Sequence, residues 1–191
     1  MNINMDSSTF KRLLSISKAN RVEKSGYLLG TSENQDFYIS SIEIERDENI
    51  KSSTNRRISY EMKNYLTDFI FRLSSLGEND TLISFHTHPS LLSSINLSEA
   101  DIDILRTNQR IADKIANRMH PNGKITIIEG VVNLREMAFF SINQVTGQVE
   151  RHPLFVDGAE IIPVEGKPLF ESIKEGFTIG RKKVEEKRKN R

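Results

Sequence analysis

At 191 residues, 37% of them hydrophobic, the chain has the size of one compact globular domain with a short appendage, and no apolar run approaches the roughly 20 residues of a membrane helix. It has no cysteine, which excludes disulfides, thiolate nucleophiles and Cys-based zinc sites and leaves His and carboxylates to hold any transition metal. Net charge is +1, but the seven basic and two acidic residues of 181–191 leave 20 basic against 24 acidic in the body, so a nucleic-acid-binding domain, which needs a clustered basic surface, is not expected.

The first predicted element is an amphipathic helix from Ser8 to about Asn20, where Phe10, Leu13 and Leu14 follow a Ser/Thr cluster at helical spacing. Tyr27 to Gly30 and Phe37 to Glu45 read as the arms of a β-hairpin whose longish turn holds the polar residues Ser32 to Asp36. Asp47 to Ser59 is polar and reads as a loop. Met62, Leu66, Phe69, Ile70 and Leu73 then recur at helical spacing within Tyr60 to Leu76, and Gly77 stops that helix.

Thr81 to His88 is a short strand ended by Pro89, which cannot donate to a central ladder. Ser98 opens a helix carrying Ile102, Leu105, Ile111, Ile115 and Met119, which stops near His120 to Gly123. Two strands follow, Lys124 to Asn133 and Met137 to Ile142, and Gln148 to Phe155 suggests another. Beyond them Pro153, Pro163 and Pro168 interrupt regular structure, and Leu169 to Arg191 reads as a peripheral helix with a basic end. With no repeat or long linker, the expected organisation is one α/β domain over 1–152, a mixed sheet flanked by helices, and a C-terminal extension over 153–191. The absence of a secretory signal in residues 1–20 fits a cytoplasmic location.

The chemistry is concentrated in two short segments. His86 and His88, two apart on a strand, project from one face, so one cation can meet both rings. By itself such a pair is more often two surface residues. Ser98-Glu99-Ala100-Asp101, taken alone, is a helix N-terminus with Ser98 as cap and an acid in the first turn. Together they describe two imidazoles and a carboxylate with a fourth position left open, the arrangement of a catalytic rather than a structural zinc. His120 and His152, each before a Pro, read as turn or strand-end residues, and Gly26 and Gly30 as sites of close backbone packing or a turn rather than a phosphate loop.

The order Glu23-Lys24-Ser25-Gly26-Tyr27-Leu28-Leu29-Gly30, then His86-Thr87-His88-Pro89, then Ser98-Glu99-Ala100-Asp101, resembles the signature of the JAMM/MPN+ (Mov34/MPN/PAD-1) metalloproteases. The resemblance covers roughly residues 8 to 142; residues 153–191 match no part of it. It implies a curved mixed sheet of the cytidine-deaminase-like MPN/JAB type and one Zn2+ held by His86, His88 and Asp101, with Glu23 as general base and Ser98 as a donor to the oxyanion. It also implies hydrolysis after the C-terminus of a ubiquitin-like protein, either deconjugating it or processing its precursor. The implied partners are that protein or its conjugate and E1-like and E2-like enzymes, in a stand-alone prokaryotic modification or phage-defence system. Leu91, Leu92, Ile95 and Leu97, between the two motifs, are either contacts for an extended substrate tail or core. A phage-tail or cell-wall peptidase of the same fold and a non-catalytic scaffold are the rival readings.

Overall fold

The computed structural model describes residues 1–19, 23–44, 67–77, 80–88, 95–120 and 123–162. Its elements are β1 (Asn2–Met5), α1 (Ser7–Ala19), β2 (Ser25–Glu33), β3 (Asp36–Ile44), α2 (described over 67–74), β4 (Thr81–Thr87) and α3 (Glu99–Met119). They continue with β5 (Thr126–Val132), β6 (Met137–Ile142), β7 (Val149–His152), β8 (Leu154–Val156) and β9 (Ala159–Ile161). The strands form one nine-stranded mixed sheet in the order β7-β6-β5-β4-β2-β3-β1-β8-β9, so the protein is α/β. The loop expected over Asp47 to Ser59 and the helix expected over Leu169 to Arg191 lie outside the described residues, as do Leu91 and Leu92.

Alternation along the central strands sorts the core into two layers. Ile83, Phe85, Ile128 and Val132 pack with Leu13 and Ile16 of α1 on one face. Leu82, Ile127, Val131 and Tyr27 pack on the other with Phe69 and Leu73 of α2 and Leu105, Ala112 and Ala116 of α3. Ile95, only 7% exposed, belongs to this second layer, so it is core and not a free contact for substrate. Strands β4 and β5 run parallel, with α3 as the crossover between them, and that arrangement puts the end of β4 and the start of α3 at the same edge of the sheet.

The hairpin of β2 and β3 is tighter than its polar sequence suggested. Both strands run to a two-residue turn at Asn34-Gln35, with Asn34 at φ +55°, a left-handed conformation that Asn tolerates. Thr31, Ser32 and Glu33 are polar because that end of β2 is exposed, not because the chain turns there. Gly26 and Gly30 serve close packing: an added Cβ would stand 2.1 Å from the Glu43 carbonyl oxygen at Gly26 and 2.0 Å from that of Tyr38 at Gly30.

The sheet does not stop at His152. Pro153 alone separates β7 from β8, and β8 pairs in parallel with β1 through Ile3↔Leu154 and Met5↔Val156, so the sheet curls until the end of β7 lies beside β1, where the Ile3 amide donates to the Pro153 carbonyl at 2.8 Å. Asp157 (φ +49°) and Gly158 (φ +80°) then turn the chain into β9. The segment expected as an extension therefore supplies two strands of the sheet through Ile161. No helix among the described residues is long and apolar enough to cross a membrane.

Candidate metal centre

Four segments meet where β4 ends. The register of β4 against β2 sets Ser25 opposite His86, and the Thr87 amide donates to the Lys24 carbonyl at 2.8 Å while the Lys24 amide donates to the Thr87 hydroxyl at 2.9 Å. Glu23, next to Lys24, lies near enough for its charge to act on His86. His88 lies beyond the last paired residue of β4, yet its amide donates to the Val132 carbonyl at 2.7 Å and its carbonyl accepts from the buried Ser17 hydroxyl of α1 at 3.3 Å. Its backbone is thus held from both sides.

The two imidazoles present their Nε2 atoms to each other at 3.2 Å, with ring centroids 5.0 Å apart. Two ligands about 2.0–2.1 Å from a tetrahedral ion stand roughly 3.3 Å apart, so this spacing fits a shared cation. Asp101 brings Oδ2 to 4.0 Å from His86 Nε2, and ligand atoms of His86, His88 and Asp101 all fall within 4.8 Å of one another. Two neutral nitrogens and one carboxylate oxygen are a donor set suited to zinc.

Asp101 is delivered by a capping box. Ser98, extended at φ −72° and ψ 167°, accepts from the Asp101 amide at 3.2 Å; in return Asp101 Oδ2 accepts from the Ser98 amide at 2.8 Å and from its hydroxyl at 2.6 Å. Burial pushes the Asp101 carboxyl up, but the Ser98 hydroxyl and amide, with the charge that His86 and His88 can carry, hold it below the ordinary aspartate value. It is therefore an anion ready to bind a cation. The Ser98 hydroxyl has one proton and gives it to Asp101, so donation to an oxyanion requires the hydroxyl to turn and release this bond.

His86 is tuned in the opposite sense. Burial pulls it down, but the hydrogen bond and charge of Glu129, with Asp101 and Glu23 further off, outweigh this and raise it above the ordinary histidine value. Glu23 is itself exposed, and its charge reaches His86. The five residues expected at the site are thus gathered around the end of the central strand β4. His120 caps the far end of α3 and His152 ends β7, bonded to the Ser141 hydroxyl and the Met1 carbonyl; neither joins the group.

Glu129 was missed. It lies on β5 opposite Ser84, accepts from that hydroxyl, and holds Oε1 2.7 Å from His86 Nδ1. Its signal was present in the sequence, since Glu129 is the one acid in the inward series Ile127, Glu129, Val131 of a central strand, and an acid on an apolar face needs a partner.

No family model and no curated protein matches this chain. Among solved structures, it is similar to the solution structure of protein DSY2949 from Desulfitobacterium hafniense, at 15% identity and a TM-score of 0.45, over 82% of this chain and 94% of that one.

Proposed function

We propose that this chain is a zinc-dependent peptidase of the JAMM/MPN+ type that cleaves after the C-terminus of a ubiquitin-like protein, built on the cytidine-deaminase-like MPN/JAB fold. The observation that carries this reading is the convergence of His86 Nε2, His88 Nε2 and the Asp101 carboxylate within 4.8 Å of one another, with the charge of Glu23 reaching His86. Of the signature residues, His86, His88, Ser98 and Asp101 lie together here, which supports the reading.

Zinc held by His86, His88 and Asp101 would supply a Lewis acid for the scissile carbonyl and lower the pKa of an attacking water. Glu23 accepts the proton of that water as its oxygen bonds to the carbonyl carbon, and passes it to the amine as the C–N bond breaks, a role worth about 10²–10⁴-fold. Ser98 holds Asp101 in the resting site and, on rotating, donates to the oxyanion. An exposed Glu23 suits a base that must meet both water and a protein-sized substrate.

The test is incubation of the zinc-loaded protein with ubiquitin-like fusions carrying a C-terminal extension, read by intact mass. A cut directly after the ubiquitin-like C-terminus, lost in Glu23→Gln and with chelator, is the expected result. Cleavage of cell-wall peptides instead identifies a peptidase of the same fold with another substrate. A protein that takes up no zinc is a scaffold.

A further inference from the structure

Behind the candidate ligand His86 lie two polar side chains that the proposed chemistry does not use, Ser84 and Glu129. The register of parallel β4 and β5 pairs Ser84 with Glu129 and His86 with Val131, so Glu129 stands on the same face as His86 and one side-chain step back from it. Ser84 is 5% exposed and the Glu129 side chain 14%. Both carboxylate oxygens are engaged, Oε2 by the Ser84 hydroxyl and Oε1 by His86 Nδ1 at 2.7 Å. The order is wrong for a nucleophilic serine, which needs the imidazole between hydroxyl and acid. Here the acid lies between, so Ser84 serves the carboxylate.

We infer that Glu129, braced by Ser84, is a positioning residue that fixes His86 as its Nδ1–H tautomer and so aims the Nε2 lone pair at the cation. The inference rests on the metal-centre reading. A carboxylate only accepts, so the proton between Glu129 and His86 sits on Nδ1, and Nε2, 3.2 Å from His88 Nε2, carries the lone pair. The negative charge behind the ring raises its basicity as a ligand. The Ser84 hydroxyl stops the carboxylate from pivoting about its last bond. His88 is held through its backbone at Val132 and Ser17.

Zinc affinity, measured by competition with a chelating dye, and the tautomer of His86, read from long-range ¹⁵N–¹H spectra of metal-free protein at alkaline pH, test this together. Wild type is expected to bind zinc and to hold His86 as Nδ1–H. Glu129→Ala should weaken zinc by about 10–100-fold and release His86 to a mixture of tautomers. Glu129→Gln keeps an acceptor oxygen, so it should keep the tautomer and lose about 10-fold or less, which separates orientation from charge even if the alanine variant folds poorly. Ser84→Ala should fall between wild type and Glu129→Ala. Zinc affinity within about twofold of wild type in both Glu129 variants, or a wild-type His86 resting as Nε2–H, overturns the inference and leaves the metal centre standing. A wild type without zinc affinity overturns both. Zinc binding that depends on Glu129 in a protein that cleaves no peptide overturns only the peptidase.

Discussion

Glu23 lies two residues before the start of β2 and acts on His86 by charge, and Glu23 and His88 have separable duties. Glu23→Gln removes a proton acceptor but none of the three donor atoms, so turnover should fall about 10²–10⁴-fold while zinc affinity stays near wild type. Retained turnover in Glu23→Gln would remove Glu23 from the mechanism. His88→Ala takes away one of the two imidazoles and should lose zinc and turnover together, as read by metal content after gel filtration. The Ser98–Asp101 exchange shows how one short sequence serves both a helix end and a site. Its hydrogen bonds satisfy the first turn of α3 and also keep the carboxylate ionised and aimed.

At the scale of elements, α3 holds β5 in place through a side chain that its helical pattern did not mark. Gln109, 4% exposed, accepts from the Ile127 amide at 2.9 Å and donates to the Ile125 carbonyl at 2.8 Å, satisfying the backbone where β5 begins. Gln109→Ala should leave two buried backbone groups without partners and cost about 2–4 kcal/mol in urea unfolding, whereas Gln109→Glu keeps only the accepting half. The α2–β3 link is of another kind. Arg72 bonds Glu43 through two nitrogens, each at 3.0 Å, and Asp68 at 2.8 Å, with its guanidinium 4.0 Å from the centre of the Tyr27 ring. Its hydrogen bonds hold the Glu43 carboxyl below the ordinary glutamate value. A depressed carboxyl stabilises the folded state above its unfolded pKa and loses that contribution as pH falls through the folded pKa. The Glu43 side chain is 49% exposed, so screening limits the pair to about 1 kcal/mol or less. The stability difference between wild type and Glu43→Gln should be present at neutral pH and vanish in acid, as urea midpoints across pH will measure.

For the whole molecule, a cation bound by groups from β4 and α3 ties the strand to the helix that follows it, and binding to the folded state alone raises stability. Zinc at about 100 times its dissociation constant should add about 2.7 kcal/mol, and chelator should remove it. A melting temperature that zinc leaves unmoved would contradict a preformed site. Closure of the sheet depends on pairings between distant parts of the chain, Ile3 with Leu154 and Ile3 with Phe37, which makes residues 153–161 part of the folded unit. Truncation after His152 should therefore unfold β1 as well, seen as lost amide protection at Ile3 and Phe37.

What is local could be read from the residues alone. The spacing of His86 and His88, the cap at Ser98 and Asp101 and the amphipathic run of α3 depend on neighbouring residues, so the candidate cluster was readable in advance. Even β9 left a local mark, the Asp157-Gly158 turn, overshadowed by the prolines around it. Tertiary contacts decided which inward residue of β5 would meet His86, where Gln109 would find its carbonyl, and that the sheet would curl so that β8 pairs with β1. Those facts depend on register between strands far apart in the chain, and a shift of one residue would turn Glu129 to the opposite face and leave His86 Nδ1 without its acceptor.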